Sequence, residues 1–220
     1  MRTVLIVSTL CALASLALPW MMWDALPDEL PVHWGPTGEP DRWQSKSTAI
    51  WFGVGLSFVL PMFCYGVTRL DPRKDHTKRN DPAIILVCSL LAVFGLGMQV
   101  LTVTASLSET QQLPFGFFML LLGLLYAGLG LALGKARSNY FFGVRTPWTL
   151  ESEAVWHRTH RVAGWTLVLS GLVVALLGLV GPNMVSAIVA VIALGVGPLF
   201  PVVYSWVIYR KEAQASDAQP

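Results

Sequence analysis

Six uncharged apolar runs alternate with polar segments along this chain, at residues 3–23, 49–68, 83–106, 114–134, 162–180 and 184–207. Each is about 20 residues long, the length at which an α-helix crosses about 30 Å of hydrocarbon. Lipid offers no partner for an unpaired backbone amide, so such runs are predicted to be helices. The pattern therefore predicts an all-α, polytopic membrane protein with six transmembrane helices. The first run follows Met1-Arg2 as a signal peptide would, but it continues to Trp20 and Trp23, which suit an interfacial anchor, and it is read as an uncleaved span. Pro198 and Pro201 remove amide donors within the last run, so that span is expected to kink or partly unwind, with neighbours supplying the missing partners. The segments divide into a two-span unit at 1–68, a four-span unit at 69–207, and a polar tail at 208–220 without apolar periodicity that is expected to be disordered.

Composition and charge sharpen this picture. Of the 220 residues, 54% are hydrophobic and 13% charged, against about 25% charged in soluble domains. The chain has 15 Lys and Arg residues. With the N-terminus inside, all but Arg42 and Lys46 fall on inner segments, and the positive-inside rule then puts both termini in the cytoplasm. None of the six runs contains Asp, Glu, Lys or Arg, which weighs against an ion-coupled transporter or permease, the main alternative class. Cys11, Cys64 and Cys88 are odd in number and lie in apolar runs, so no disulfide framework is expected. Small residues at contact spacing, Gly123 with Gly128 and Gly130 with Gly134, predict close helix packing within the bundle or between protomers.

The outward loop, 24–47, carries Pro27, Pro31, Pro36 and Pro40, with Gly35 and Gly38 available for tight turns. It is expected to be a compact element on the membrane, ringed by Trp20, Trp23, Trp34, Trp43 and Trp51. His33 admits two readings. One is a metal or pH-sensing group partnered by Asp28, Glu39 or Asp41, which lacks any zinc-type ligand spacing; the other is packing against Trp34 with a hydrogen bond to a turn.

The inner stretch, 139–165, gathers two histidines, two glutamates, three arginines and three tryptophans. Thr146 is expected to cap a helix with Pro147 in its first position, which brings Glu151 and Glu153 near the positive end of the dipole. On a helix running on into the fifth span, Glu153, His157 and His160 fall at i, i+4 and i+7 and share a face, with Arg161 beside His157. Three readings compete. The trio is a zinc site of a membrane-embedded hydrolase, though the established zinc-protease spacings are absent. His157 and Glu153 form an acid–base pair, though no nucleophile accompanies them. Or the stretch is a structural and recognition surface, with Trp148, Trp156 and Trp165 at the interface and arginines meeting anionic headgroups. The third reading is preferred. No catalytic residue, metal, cofactor or nucleic-acid partner is expected.

Two motifs carry a family resemblance. Leu26-Pro27, Pro31-Val32-His33-Trp34, Gly38, Asp41 and Ser45-Lys46 resemble the signature of an uncharacterised bacterial membrane domain that joins two spans. Asn139, Tyr140, Phe142-Gly143-Val144-Arg145-Thr146-Pro147-Trp148-Thr149, Trp156 and Thr159-His160 resemble the SdpI family of bacterial immunity proteins, in which the first box also occurs. The resemblance implies a multi-pass protein of the bacterial inner membrane that protects its producer from a secreted toxic peptide. It also implies a sensing role, in which a cytoplasmic repressor is held at the membrane when toxin is present. On this reading His33, Trp34, Gly38 and Asp41 would meet the extracellular ligand. Asn139, Phe142, Gly143, Arg145, Thr146, Pro147, Trp148, Glu153, Trp156, His157 and His160 would form the cytoplasmic recognition face. The lipid bilayer, a peptide toxin and a repressor are the expected partners.

Overall fold

The structure, a computed structural model, describes residues 1–35, 37–181 and 183–217. Pro36 of the outer loop, Pro182 of the Gly-Pro-Asn turn and the last three residues of the tail lie outside the described residues. Among the described residues, six helical columns are long and apolar enough to cross a membrane. They are α1 (Arg2–Met21), a composite of α2 (Lys46–Val54), a π-helical turn (Gly55–Val59) and α3 (Leu60–Thr68), then α4 (Lys74–Ser106), α5 (Phe115–Leu133), α7 (Glu153–Val180) and α8 (Met184–Asp217). A one-turn helix, α6 (Pro147–Glu151), precedes α7.

The closest pairing is α5 with α7, and glycine is its cause. A methyl group on Gly123 would lie 2.4 Å from the Ala175 nitrogen, one on Gly130 2.6 Å from the Gly164 oxygen, and one on Gly171 2.4 Å from the Ala127 nitrogen. Each series recurs at seven-residue intervals, and the contacts run in opposite directions along the two helices, so two antiparallel backbones meet with no side chain between them. Gly134 faces the same seam, whereas Gly128 meets Leu90 of α4. Without a hydrophobic force between helices in lipid, this close approach supplies the attraction. The small residues expected to mediate packing therefore do so within one chain. The remainder of the bundle follows: α8 packs on α7, α4 on α5, and α1 with the α2–α3 column on α4.

The prolines are accommodated by neighbours. Pro201 cannot donate to the Gly197 carbonyl, and the Thr166 hydroxyl of α7 donates to that oxygen instead, at 2.8 Å. The expected unwinding of the sixth span does not occur: helical structure runs unbroken from Met184 to Asp217. The tail expected to be disordered is accordingly helical over 208–217. The π turn sits one residue ahead of Pro61, with the Leu60 amide reaching back to the Gly55 oxygen. Residues 74–82 form the first turns of α4 and extend it beyond its apolar run.

The first loop contains the only strands among the described residues. Strand β1 (Glu29–Trp34) pairs antiparallel with β2 (Pro40–Ser45) in a hairpin whose register slips between Pro31 and Trp34. Leu26 and Leu30 are buried against Ala49 of α2 and Val103 of α4. The loop is thus the compact element expected, built on paired strands within an otherwise helical fold. The hairpin and the 107–114 connector lie at one end of the bundle. The 69–73 loop, the 134–152 segment and the end of α8 lie at the other.

The seam predicts an asymmetric glycine scan. Gly171→Val should lower stability by about 1–3 kcal/mol through overpacking, read as resistance to thermal unfolding in detergent. Gly195→Ala meets nothing within 4 Å and should be neutral or mildly stabilising. Equal effects at both positions would contradict the packing described.

Candidate functional site

The 134–152 segment is held as a strap across the end of the α5–α7 pair by side chains that α7 and α4 present to its backbone. Two residues of α7, one turn apart, do most of this. Trp156 is fully buried and donates its indole N–H to the Ala136 carbonyl at 2.9 Å. His160 stacks on it, with ring centroids 3.8 Å apart and planes at 18°. The Val144 amide donates to Nε2 of His160 at 3.0 Å, while Nδ1 lies 2.9 Å from the Trp156 carbonyl. An acceptor Nε2 and a donor Nδ1–H define the neutral tautomer. Both ring nitrogens are therefore committed to backbone groups.

Gly143 makes this possible. Its φ is +109°, a region that side chains with a Cβ rarely adopt, and a Cβ there would lie 2.2 Å from His160 Nε2. The turn that follows caps itself. The Thr146 hydroxyl accepts from the Thr149 amide and the Thr149 hydroxyl accepts from the Thr146 amide, a reciprocal capping box with Pro147 in the first turn of α6. Trp148 donates to the Ser205 hydroxyl of α8 at 2.8 Å. Asn139 closes the other side, its carbonyl oxygen accepting from the amides of Phe141 and Phe142.

The α3–α4 side supplies partners that the sequence reading did not single out. Asn80 forms a two-way bond with the Arg137 backbone, accepting from its amide at 2.7 Å and donating to its carbonyl at 3.1 Å. Asp71 is 1% exposed and accepts from the amides of Arg73 and Tyr140, both at 2.8 Å. Arg73 donates to the Ser138 hydroxyl and the Leu150 carbonyl and lies over the Tyr140 ring. His76 Nδ1 lies 2.9 Å from the Ser138 carbonyl. The burial of Asp71 and Asn80, seen only in the structure, marks them as partners, because such side chains are buried only with backbone groups to satisfy.

The expected helix from Thr146 into the fifth span is broken. Ser152 is extended and caps α7, so Glu151 ends α6 while Glu153 begins α7 at the favourable end of its dipole. Of the trio Glu153, His157 and His160, only the first two lie on the exposed face. Glu153 approaches His76 at 3.7 Å and His157 lies 3.4 Å from an Arg137 nitrogen. The three do not converge on a common point, and His160 has no free nitrogen to offer a metal or a substrate. Glu151 instead accepts from the Tyr209 hydroxyl, and Glu212 meets both Ser152 and Arg158, which tether the end of α8.

At the hairpin end, His33 and Asp41 face each other across the strands, with Nδ1 to Oδ1 at 2.6 Å and both side chains more than half exposed. Asp41 is one of the partners anticipated for His33. Trp34 donates to the Gln111 carbonyl and Trp43 to the Gln111 side chain. Gly38, at φ +81°, accepts from the Leu113 amide at 2.9 Å. These residues fasten the hairpin to the 107–114 connector, leaving the His33–Asp41 pair as the polar feature of the box open to solvent.

The strap geometry separates the two histidines. His160→Ala leaves the half-buried Val144 amide unsatisfied and opens a void beside Trp156; the expected loss is about 2–4 kcal/mol, with faster amide exchange across 136–150. His157→Ala should stay within about 0.5 kcal/mol of wild type. Comparable losses for the two would refute the assignment of His160 as the clamp.

Comparison with known proteins places these two regions in known groups. The SdpI/YfhL protein family matches residues 135–205, and a domain of unknown function, DUF1648, matches residues 10–58. No solved structure matches the chain. The Immunity protein SdpI of Bacillus subtilis (strain 168) is 26% identical over 196 residues, 86% of this chain and 88% of that protein. The family segment begins at the strap and ends within α8, and the alignment runs along most of both chains, so the six-helix protein is similar to the SdpI/YfhL family at its strap end and to one immunity protein along most of its length.

Proposed function

We infer that this protein confers immunity to a secreted toxic peptide from within the bacterial inner membrane. The observation that carries the reading is the likeness to an immunity protein along most of the chain, together with a matched family segment that begins at the strap. Residues Asn139, Phe142, Gly143, Thr146, Pro147, Trp148, Trp156 and His160 give the strap its fixed shape. Arg145 of the strap, with Glu153 and His157 of α7, is exposed, and the three belong to the face a cytoplasmic partner would meet. The hairpin, with His33, Trp34, Gly38 and Asp41, is the element a peptide arriving from outside would meet first.

The basic residues support this orientation. Thirteen of the 15 Lys and Arg residues, all but Arg42 and Lys46, fall at the strap end or in the segments leading to it, so the positive-inside rule turns that end to the cytoplasm. A repressor held at the membrane would dock there. The readings as a permease and as a metal-dependent hydrolase receive less support: the apolar runs of the spans carry no Asp, Glu, Lys or Arg, and the histidine–glutamate trio is dispersed.

Two experiments test the reading. Expression in a host sensitive to peptide toxins should give protection, with Gly143→Ala losing it at an unchanged membrane level and His157→Ala retaining immunity if the toxin is met on the other side. A wild-type chain that protects against none of the related peptides would refute the immunity role. For orientation, a membrane-impermeant maleimide applied to intact cells should label Thr110→Cys but reach Lys78→Cys only after lysis. The reverse pattern would overturn the topology.

A further inference from the structure

Beneath the strap lies a cavity of about 570 Å³, within the range of small-molecule sites. Its walls come from four helices, including Val87 of α4, Leu129 of α5, Leu167 of α7 and Val202 of α8, and residues 142–146 form its roof. Packing explains the space. α4 is seated on α5 and α8 on α7, but among the described residues α4 and α8 do not pack on each other. The floor between them is made of small residues, Ala132 and Ala163. A cleft bounded this way opens sideways between α4 and α8, at the depth of the apolar spans.

The chemistry of the lining changes sharply from wall to roof. Of the residues that the four helices contribute, Tyr126 alone has a polar side-chain group. The roof contributes Arg145, an exposed cation with no carboxylate partner among the described residues. One of its N–H groups donates to the Tyr140 carbonyl at 2.5 Å, which fixes the guanidinium at the rim. A guanidinium has five N–H donors and matches a phosphate in a bidentate fashion.

We propose that this cavity is a binding site for one anionic phospholipid, an acyl chain lying between α4 and α8 and the headgroup phosphate on Arg145. The polarity fits an amphiphile: apolar walls at bilayer depth, one fixed cation at headgroup level. An apolar peptide segment fits less well, because its backbone would enter a space whose walls offer a single hydroxyl. The proposal does not rest on the immunity reading.

The test is native mass spectrometry of the full chain released from nanodiscs of phosphatidylglycerol and phosphatidylcholine in equal amounts. Wild type should retain one phosphatidylglycerol, preferred about fivefold over the neutral lipid, the discrimination expected of one basic residue near the headgroup. Arg145→Gln should lose the preference and Arg145→Lys should keep most of it. Val202→Trp should fill the cleft from the α8 side and lose the retained lipid. Thermal unfolding of each variant identifies any that fail to fold, and the Gln/Lys pair decides the matter without the tryptophan variant. Equal retention of the two lipids by wild type, an unchanged preference in Arg145→Gln, or displacement of the lipid by an apolar peptide would overturn the proposal.

Discussion

A single imidazole fixes the 134–152 strap of this protein to its helical bundle. His160 accepts a backbone N–H from Val144 and offers its other nitrogen to Trp156, its own helix neighbour one turn back. Protonation at Nε2 would abolish the Val144 bond, and a Cβ at Gly143 would occupy the same space. The histidine, the glycine and the tryptophan are thus one device. Histidine suits it because a neutral ring supplies a flat stacking surface, one donor and one acceptor together. The same commitment removes His160 from metal or acid–base chemistry.

That device has a rigid base to act on. The strap crosses the helix pair whose backbones approach most closely, and Gly130, Gly134 and Gly164 lie immediately below the Trp156–His160 stack. Close backbone contact leaves the two helices little freedom to slide, so the carbonyl of Ala136 and the amide of Val144 find their partners at fixed positions. Asn80 and Asp71 tie the same strap to the neighbouring half of the bundle. A segment that composition would class as a polar loop thereby has backbone groups of Ala136, Arg137, Ser138, Tyr140 and Val144 held by side chains of its neighbours.

How much of this was legible in the sequence depended on the kind of signal. The spans were, because an uncharged run of about 20 residues has one stable form in lipid. The Thr146 cap and the Gly143 turn were, because each rests on local stereochemistry. The hairpin strands were not: three prolines and two register slips obscure any alternation, and pairing is recognised only when both strands are seen against Leu26 and Leu30 in their buried setting. The helical tail was missed because its residues lack an apolar period of their own; Tyr209 and Glu212 are held by Glu151, Ser152 and Arg158, contacts that exist only in three dimensions. Equal spacing on a helix wheel also misled. Glu153, His157 and His160 share a face by count, yet the last turns inward because the strap lies over it.

The arrangement bears on how the two ends of the molecule are connected. Helix α4 is packed beneath the hairpin at Val103 and bonded to the strap at Asn80. Its apolar span separates the two points, so a rigid shift of α4 alters both contacts at once, whereas α7 carries the strap without touching the hairpin core. Contact at both ends is a necessary condition for signalling and not a sufficient one, since coupling requires an element with two arrangements. Gly95, whose missing Cβ lets α4 approach the π turn at Leu56 and Ser57, sits between them. A π turn differs from α-helix by one residue of register, and this one contains Ser57, whose buried hydroxyl lies 2.8 Å from that of Ser15 on α1. Conversion of the Gly55–Val59 turn to regular helix would shift its register by one residue and so change the seating of α4 by a discrete step.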